Sequence, residues 1–393
     1  MTPDSTNSAA PCPHVVILYT DAGGGHRASA QALRDLLAAD GGYRVTLINP
    51  YREVLAHLDP FTRWTGRDVE ATYNQLVLDG GRTGLFCRAF FVLSAIAVVF
   101  LRRAGRREFA RLWATTQPDL VISVLPMLNP AMIDAIQRYR NGQVPLAIMM
   151  TDWAEVSPFV WFPRGTDYFA IAGTSEGLAQ LRAKRQPEER IFATGGLLIR
   201  PQFLQPPPEN PGAARAALGL EPARPTLVLS YGGQGSPRLV ELANALAAAD
   251  FRPQVIFLCG RNAGLARELD AAKLPFPRLV LGYREDIHRY LALADLFVGK
   301  AGPQSVSEAL ALGLPLLIDA HRVLPQEQAL TRWVRTKQLG ETFTHPLQFV
   351  RQARAMTAQA GAPDALQVAR QVAQTNTAAH DLLGIVETLI LKP

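Results

Sequence analysis

Short apolar runs that end in glycine, each followed by a stretch of helical period, recur along this chain. His14–Thr20 (HVVILYT) has the length of a buried strand and stops at a glycine cluster. Gly23–Gly25 follows, and from His26 to about Ala39 the apolar positions fall at helical spacing. Tyr43–Ile48 predicts a second strand. Strand, glycine loop, helix and strand in that order open an α/β sheet. Further strands are predicted at Leu120–Val124, Leu146–Met150 and Tyr168–Ala172.

The pattern breaks at Arg200–Gly212 (RPQFLQPPPENPG), whose prolines continue neither a helix nor a central strand, and then restarts. Thr226–Ser230 predicts a strand ending in Tyr231–Gly235 (YGGQG), with a helix at Arg238–Ala249. Gln254–Cys259 and Leu279–Leu281 predict strands, and Arg261–Ala272 and Asp286–Ala294 predict helices. Leu296–Val298 leads into Gly299–Pro303, a helix at Ser305–Leu312 and a strand at Pro315–Ile318. Two α/β units of similar size joined by a proline-bearing hinge are therefore expected. The expected boundaries are a disordered leader at 1–13, a first domain at 14–200, a linker at 201–212, a second domain at 213–365 and a helical segment at 366–393 that packs back on the first domain.

Composition changes this picture little. The chain has 393 residues, 48% hydrophobic and 19% charged, the range of an ordinary globular protein. Its three cysteines are far apart, which excludes a disulfide framework and any CxxC metal site. The net charge of +6 points to an anionic partner. One segment stands apart: Ala89–Leu101 (AFFVLSAIAVVFL) is uncharged and flanked by Arg88, Arg102, Arg103, Arg106 and Arg107. It is too short for a bilayer span, which takes about 20 residues. Two readings stay open, an interfacial membrane anchor with a basic rim or a buried core helix with a solvated arginine tail.

Three motifs carry candidate chemistry. In Asp21–Arg27 (DAGGGHR), Gly24 and Gly25 let the backbone approach a ligand at the start of a helix. A dinucleotide cofactor would need an acid about 20 residues on, but the second strand ends at Asn49. His26, on the first helical turn, is a candidate base for a substrate hydroxyl, or else a structural histidine. In the second motif, Asp152 follows Leu146–Met150 at the carboxyl edge of the sheet, where it can orient His26, accept a proton itself, or simply be a loop residue.

The third motif, Gly299–Ser305 (GKAGPQS) with Glu308, places a glycine turn between a strand and a helix. Backbone N–H groups at the turn of Lys300, Ala301, Gly302 and Pro303, ahead of a helix that begins near Ser305, suit a diphosphate. Ser305 adds a hydroxyl, and Lys300 either offsets charge on the leaving phosphate or is simply solvated. Glu308 is a candidate acceptor for ribose hydroxyls, unless it closes a capping box with Ser305. Gly232, Gly233 and Gln234, with Arg261 after the next strand, are placed to contact the same ligand, and Gln326 and Glu327 to meet a sugar. No D-x-D pair occurs in the chain. That fits leaving-group stabilisation by backbone amides and a helix dipole, with no metal and no cofactor beyond the donor substrate.

These residues resemble a family. The runs GGGHRASAQAL (Gly23–Leu33) and GKAGPQSVSEALALGLPLLI (Gly299–Ile318) resemble the monogalactosyldiacylglycerol synthase and processive diacylglycerol glucosyltransferase group of glycosyltransferase family 28. The resemblance covers about Val15–Gly340, with Thr151–Asp152, Thr194–Gly196 and Gln326–Glu327 inside it. It implies the GT-B fold, two Rossmann-like domains facing a cleft. It also implies inverting transfer of galactose or glucose from a UDP-sugar to diacylglycerol or a related lipid. His26 would be the base, the Gly302 loop and Ser305 would hold the diphosphate, Glu308 the ribose, and Gln326 and Glu327 the sugar. The family further implies a peripheral protein on the cytoplasmic face of a membrane, docked on anionic lipid through Ala89–Arg107, with no nucleic-acid partner. The chain departs from the family at Ser157-Pro158, Gln304-Ser305, Pro325 and Ala329-Leu330. A UDP-sugar epimerase and a non-catalytic UDP-sugar-binding protein are the rival expectations on the same fold.

Overall fold

The structure, a computed structural model, describes residues 12–58, 66, 69–78, 102–156, 160–165, 167–358 and 375–391. The leader up to Pro11, the apolar run Ala89–Leu101 and the Ser157-Pro158 pair lie outside these residues.

Two six-stranded sheets form, and every pairing in them is parallel. The first is built from β1 (His14–Leu18), β2 (Arg44–Ile48), β3 (Leu120–Ser123), β4 (Leu146–Met149), β5 (Phe169–Ala172) and β6 (Ile191–Ala193), in the order β2-β1-β3-β4-β5-β6. The second uses β7 (Thr226–Ser230), β8 (Gln254–Leu258), β9 (Arg278–Leu281), β10 (Leu296–Gly299), β11 (Leu316–Asp319) and β12 (Gly340–Phe343), in the order β12-β11-β10-β7-β8-β9. β6 and β12 are not evident from the sequence. Both are sheet edges with little buried surface: β6 is three residues long, and β12 (GETF) buries Phe343 alone. Edge strands give a weak apolar signal because only part of their surface is covered.

Both central strands are buried on two faces, so their apolar residues are continuous but divide between two cores. Val16 and Leu18 pack on one side of β1, Val15 and Ile17 on the other. In β7, Val228 faces one core while Leu227 and Leu229 face the other. The helices used below are α1 (Gly25–Asp40), α2 (Val69–Leu78), α3 (102–116), α4 (Arg238–Ala248), α5 (Pro303–Ala311), α6 (Gln328–Thr336) and α7 (Ala378–Leu391). α7 returns to the first sheet, where Leu382, Ile385, Val386 and Leu389 join the core under β1, β3 and β4.

The connection between the halves is packed rather than loose. Leu198 enters the first domain's core, while Leu197 and Ile199 enter the second's. Phe203 is fully buried in that second core. Truncating a buried Phe costs about 3–5 kcal/mol, so the proline-bearing stretch is anchored at its start, and the exposed run is 204–211.

Parallel sheets of this kind bind ligands where the strand order reverses. In the first sheet that point lies between β1 and β3; in the second it lies between β7 and β10. The loops leaving those four strands are the DAGGGH loop, Val124–Leu128, the YGGQG loop and the GKAGP loop. The topology thus carries all three glycine loops to ligand-binding edges.

Candidate active site

In the first domain, α2 holds the glycine loop in place. Asn74 accepts from the Gly23 amide at 2.8 Å and donates to the Asp21 carbonyl at 3.0 Å. Glu70, 2% exposed, accepts from the Asp21 amide at 2.6 Å, from Thr20 Oγ1 and from Asn49 Nδ2 at 2.9 Å, and it pairs with Arg52 at 3.2 Å. A buried carboxylate is tolerated only with such a set of donors. Asn49 thus serves as a donor to Glu70 and caps the turn at Pro50–Glu53 by accepting from Tyr51 N. Gly24 caps α1 in a left-handed conformation (φ 82°), Gly25 is its first residue, and no side chain caps the helix. The first amides of α1 are therefore left without a capping side chain.

His26 stands on that first turn, partly buried. Its Nδ1 meets Thr151 Oγ1 at 2.8 Å, and its ring lies 5.5 Å from that of Trp161. Asp152 is not the hydrogen-bond partner of the ring. Its Oδ2 accepts from Trp161 Nε1 at 2.9 Å, so Trp161 joins the two groups. Burial lowers the His26 pKa below its usual value, and this outweighs the raising influence of the Asp152 charge and the Val124 backbone carbonyl. A ring that is neutral near pH 7 and close to a carboxylate is a competent proton acceptor. Burial raises the Asp152 pKa. The His26 ring, the Trp161 hydrogen bond and the Lys300 charge oppose that shift, and Glu327 adds to it. Asp152 thus senses groups on both domains.

In the second domain two loops interlock. Gly260 has φ +57°, and a Cβ there would stand 2.4 Å from the Gly233 carbonyl oxygen. Gly235 has φ +74°, and its Cβ would meet the Cys259 carbonyl at 2.3 Å. No other residue fits either place, and the Arg261 amide closes the contact on Gly233 O at 2.9 Å. Gln234 lies between, half-buried. The Arg261 guanidinium lies over the ring of Tyr283 at 4.0 Å, and Tyr283 is 46% exposed.

Lys300 sits between the two glycine loops. Its Cε would be 3.6 Å from a Cβ at Gly232 and 3.8 Å from one at Gly302, and Ser305 Oγ would be 3.9 Å from the latter. Ala301 is buried, Pro303 is the first residue of α5, and Gly302 is its cap, again without a capping side chain. The helix starts two residues earlier than the sequence pattern suggests, because proline favours the first helical position. Ser305 is therefore the third helical residue and Glu308 the sixth, so they do not form a capping box.

Glu308 is not open to a ligand in this conformation. It is 2% exposed and pairs with Arg200 through both oxygens, at 2.6 and 2.9 Å. Gln304 Nε2 donates to it as well, at 2.8 Å. Glu327 is also buried, and Lys300 Nζ donates to it at 3.0 Å. Gln326 reaches across the cleft to Tyr73 Oη at 3.4 Å.

Further contacts among the described residues join the halves. Besides Gln326–Tyr73, Ser29 Oγ donates to Gln304 Oε1 at 3.2 Å, and Trp153 packs on Trp333 of α6 with ring centroids 4.4 Å apart. Gln304, a departure in the sequence, therefore bridges α1, α5 and Glu308. Glu70, Asn74, Trp161, Thr151, Arg200 and Tyr283 were not singled out by sequence as site residues. Only Thr151 had a signal, as the neighbour of Asp152. Among the described residues no group of three or more His, Cys, Asp or Glu is arranged to hold a metal ion, and no helix is long and apolar enough to cross a membrane.

Two parallel-sheet domains with glycine loops facing each other across a cleft make the GT-B fold. UGT89C1 of Arabidopsis thaliana, solved in complex with UDP, superposes with a TM-score of 0.62 at 15% identity, covering 96% of this chain and 100% of that one. Residues 226–318 match the glycosyltransferase family 28 C-terminal domain. The second domain is thus similar to the C-terminal domain of that family. The chain's relatives include a probable chloroplastic monogalactosyldiacylglycerol synthase of Nicotiana tabacum, 27% identical across 81% of this chain and 59% of that protein. Another is probable monogalactosyldiacylglycerol synthase 3 of Oryza sativa subsp. japonica, 30% identical across 78% of this chain and 60% of that protein. The chain thus spans about three-fifths of the length of these two relatives.

Proposed function

We propose that the chain transfers galactose or glucose from a UDP-sugar, with inversion, to diacylglycerol or a related lipid at a membrane surface. The observation that carries this reading is the meeting of the two domains' motifs. His26, Thr151 and Asp152 lie on one wall of the cleft and Lys300 and Glu327 on the other, close enough that Asp152 feels all three charged or titratable partners. The relatives' names supply the acceptor class.

In this reading the lipid hydroxyl enters beside His26. The neutral ring takes its proton as the oxygen attacks the anomeric carbon, and Asp152 stabilises the imidazolium that forms. The bond to the diphosphate breaks on the opposite face. Charge on the departing UDP is met by the amides of the Gly232–Gln234 and Lys300–Gly302 loops, by the N-terminus of α5, by Ser305 and by the Lys300 ammonium. No step is routed through a metal. Tyr283 and Arg261 offer a flat cationic edge to the nucleotide. Glu308 accepts the ribose hydroxyls once Arg200 has moved, and Gln326 and Glu327 accept from the hexose. Peripheral binding at the cytoplasmic leaflet would use Ala89–Arg107. Within its described part, Arg103 and Arg107 of α3 are exposed, and Arg102 pairs with Asp134 at 2.9 Å.

The test is an assay of the purified chain with UDP-glucose and UDP-galactose on vesicles containing diacylglycerol. Turnover with one of them supports the reading. Folded protein that binds UDP yet transfers neither sugar would sink the diacylglycerol form of it, and interconversion of the two donors without lipid would favour the epimerase instead.

A further inference from the structure

Helix α2 presents Glu70, Tyr73 and Asn74 at positions i, i+3 and i+4, which share one face. Glu70 and Asn74 fix the glycine loop that leads to His26. Tyr73 points the other way across the cleft and accepts from Gln326 Nε2 at 3.4 Å. The other end of that carboxamide, Oε1, is buried and meets no donor among the described residues. Its immediate neighbour Glu327 holds Lys300. A buried amide oxygen without a partner is an exception in folded proteins and calls for an explanation. Here a ligand hydroxyl supplies one. With its nitrogen at Tyr73, the amide presents its oxygen as the open acceptor.

We propose that Tyr73 is a positioning residue for the hexose of the donor. By holding the Gln326 carboxamide, it aims Gln326 Oε1 at one hexose hydroxyl, so the sugar subsite is completed by the domain opposite the one that binds the nucleotide. This inference rests on the reading of the cleft as a UDP-hexose site. It has a structural consequence: one helix sets both the glycine loop of the base and the amide that holds the sugar. The hydroxyl to be deprotonated and the anomeric carbon are thereby referenced to the same element, and misplacement of either carries a large rate penalty.

Calorimetric titration of wild type, Tyr73→Phe, Gln326→Ala and the double variant with UDP, UDP-glucose and UDP-galactose tests it. Tyr73→Phe should leave UDP binding unchanged and weaken whichever UDP-hexose wild type prefers by about three- to tenfold, the size of one neutral hydrogen bond. In turnover the donor KM should rise by the same factor. In the Gln326→Ala background the Tyr73→Phe effect should vanish, because it acts through that amide. Equal weakening of UDP and UDP-hexose, no effect on either, or a full effect in the Gln326→Ala background would each overturn the proposal. Wild type that binds UDP-hexose while Tyr73→Phe matches it overturns this inference alone. Wild type that binds neither UDP nor UDP-hexose removes the reading of the cleft as well.

Discussion

Arg200→Met isolates the contact that closes Glu308, the ribose acceptor of the proposed function. The guanidinium meets Glu308 in two parallel hydrogen bonds of 2.6 and 2.9 Å, the strong fork geometry. The side chains are 18% and 3% exposed, so water screens the pair poorly. Without Arg200, Glu308 stays buried with Gln304 as its remaining donor in the structure. Breaking a buried pair by removing one partner costs about 3–5 kcal/mol. The stacking of Arg200 on Phe203, 4.7 Å from the ring centre, contributes roughly another 0.5–2 kcal/mol, part of which the methionine thioether replaces by packing. A net loss of about 3 kcal/mol is expected, and at about 2–4 °C per kcal/mol for a domain of this size the midpoint should fall by roughly 6–12 °C. Thermal unfolding followed by circular dichroism measures it. Glu308→Gln in the Arg200→Met background removes the stranded charge and should recover much of the loss, so the two changes must couple by more than about 1 kcal/mol. Binding separates the pair's two roles. Well below the transition, Arg200→Met should bind UDP at least as tightly as wild type, because no ion pair has to open first, whereas Glu308→Gln should bind it more weakly. A midpoint shift under about 2 °C, or additive effects of the two substitutions, would refute the view that this pair is a closed latch.

The pH dependence follows from His26, whose pKa is lowered from 6.5 by burial. As pH falls the unfolded chain binds the proton first, so this contribution to stability is complete above pH 6.5 and is lost as the pH drops through the folded value. The acid limb of kcat/KM should lie below pH 6.5 and move lower still in Asp152→Asn; a limb above 6.5 in wild type would count against His26 as the base. Gly260→Ala forces a Cβ to within 2.4 Å of the Gly233 carbonyl at φ +57°, so the YGGQG loop must shift. A displacement of that order costs about a hundredfold in kcat/KM, and an alanine variant with wild-type kinetics would show that the loop does not hold the donor. Asp319 accepts from Tyr231 Oη at 2.6 Å and from Arg238 Nε at 2.8 Å, tying the end of β7 to the end of β11. Asp319→Ala should destabilise by about 3 kcal/mol in denaturant titration, against less than about 0.5 kcal/mol for Asp35→Ala in its exposed pair with Arg34.

What the sequence reveals and what it conceals divide along a physical line. An apolar run ending in glycine is a local signal, and it located β1, β7, β10 and the loops that follow them, because a central parallel strand must be apolar on both faces. The positions of the three glycine loops then follow from strand order alone, since reversal beside β1 and beside β7 puts them at ligand edges. Partnership is not local. Arg200 and Glu308 are 108 positions apart, Tyr73 and Gln326 253 apart, and neither spacing has a period to read. Glu308 was legible as a carboxylate near a phosphate loop, but not as one already occupied, because occupancy depends on where the hinge runs. The prolines mark the hinge, but they do not reveal that Leu197, Leu198 and Ile199 just before it alternate between two cores and leave it little freedom. Residue type at a strand end thus fixes which groups face the cleft, while contacts between distant segments decide which of them are open. In this chain the closed carboxylate, the held amide and the paired lysine all belong to the second domain, and each is held by a partner that its own sequence neighbourhood does not reveal.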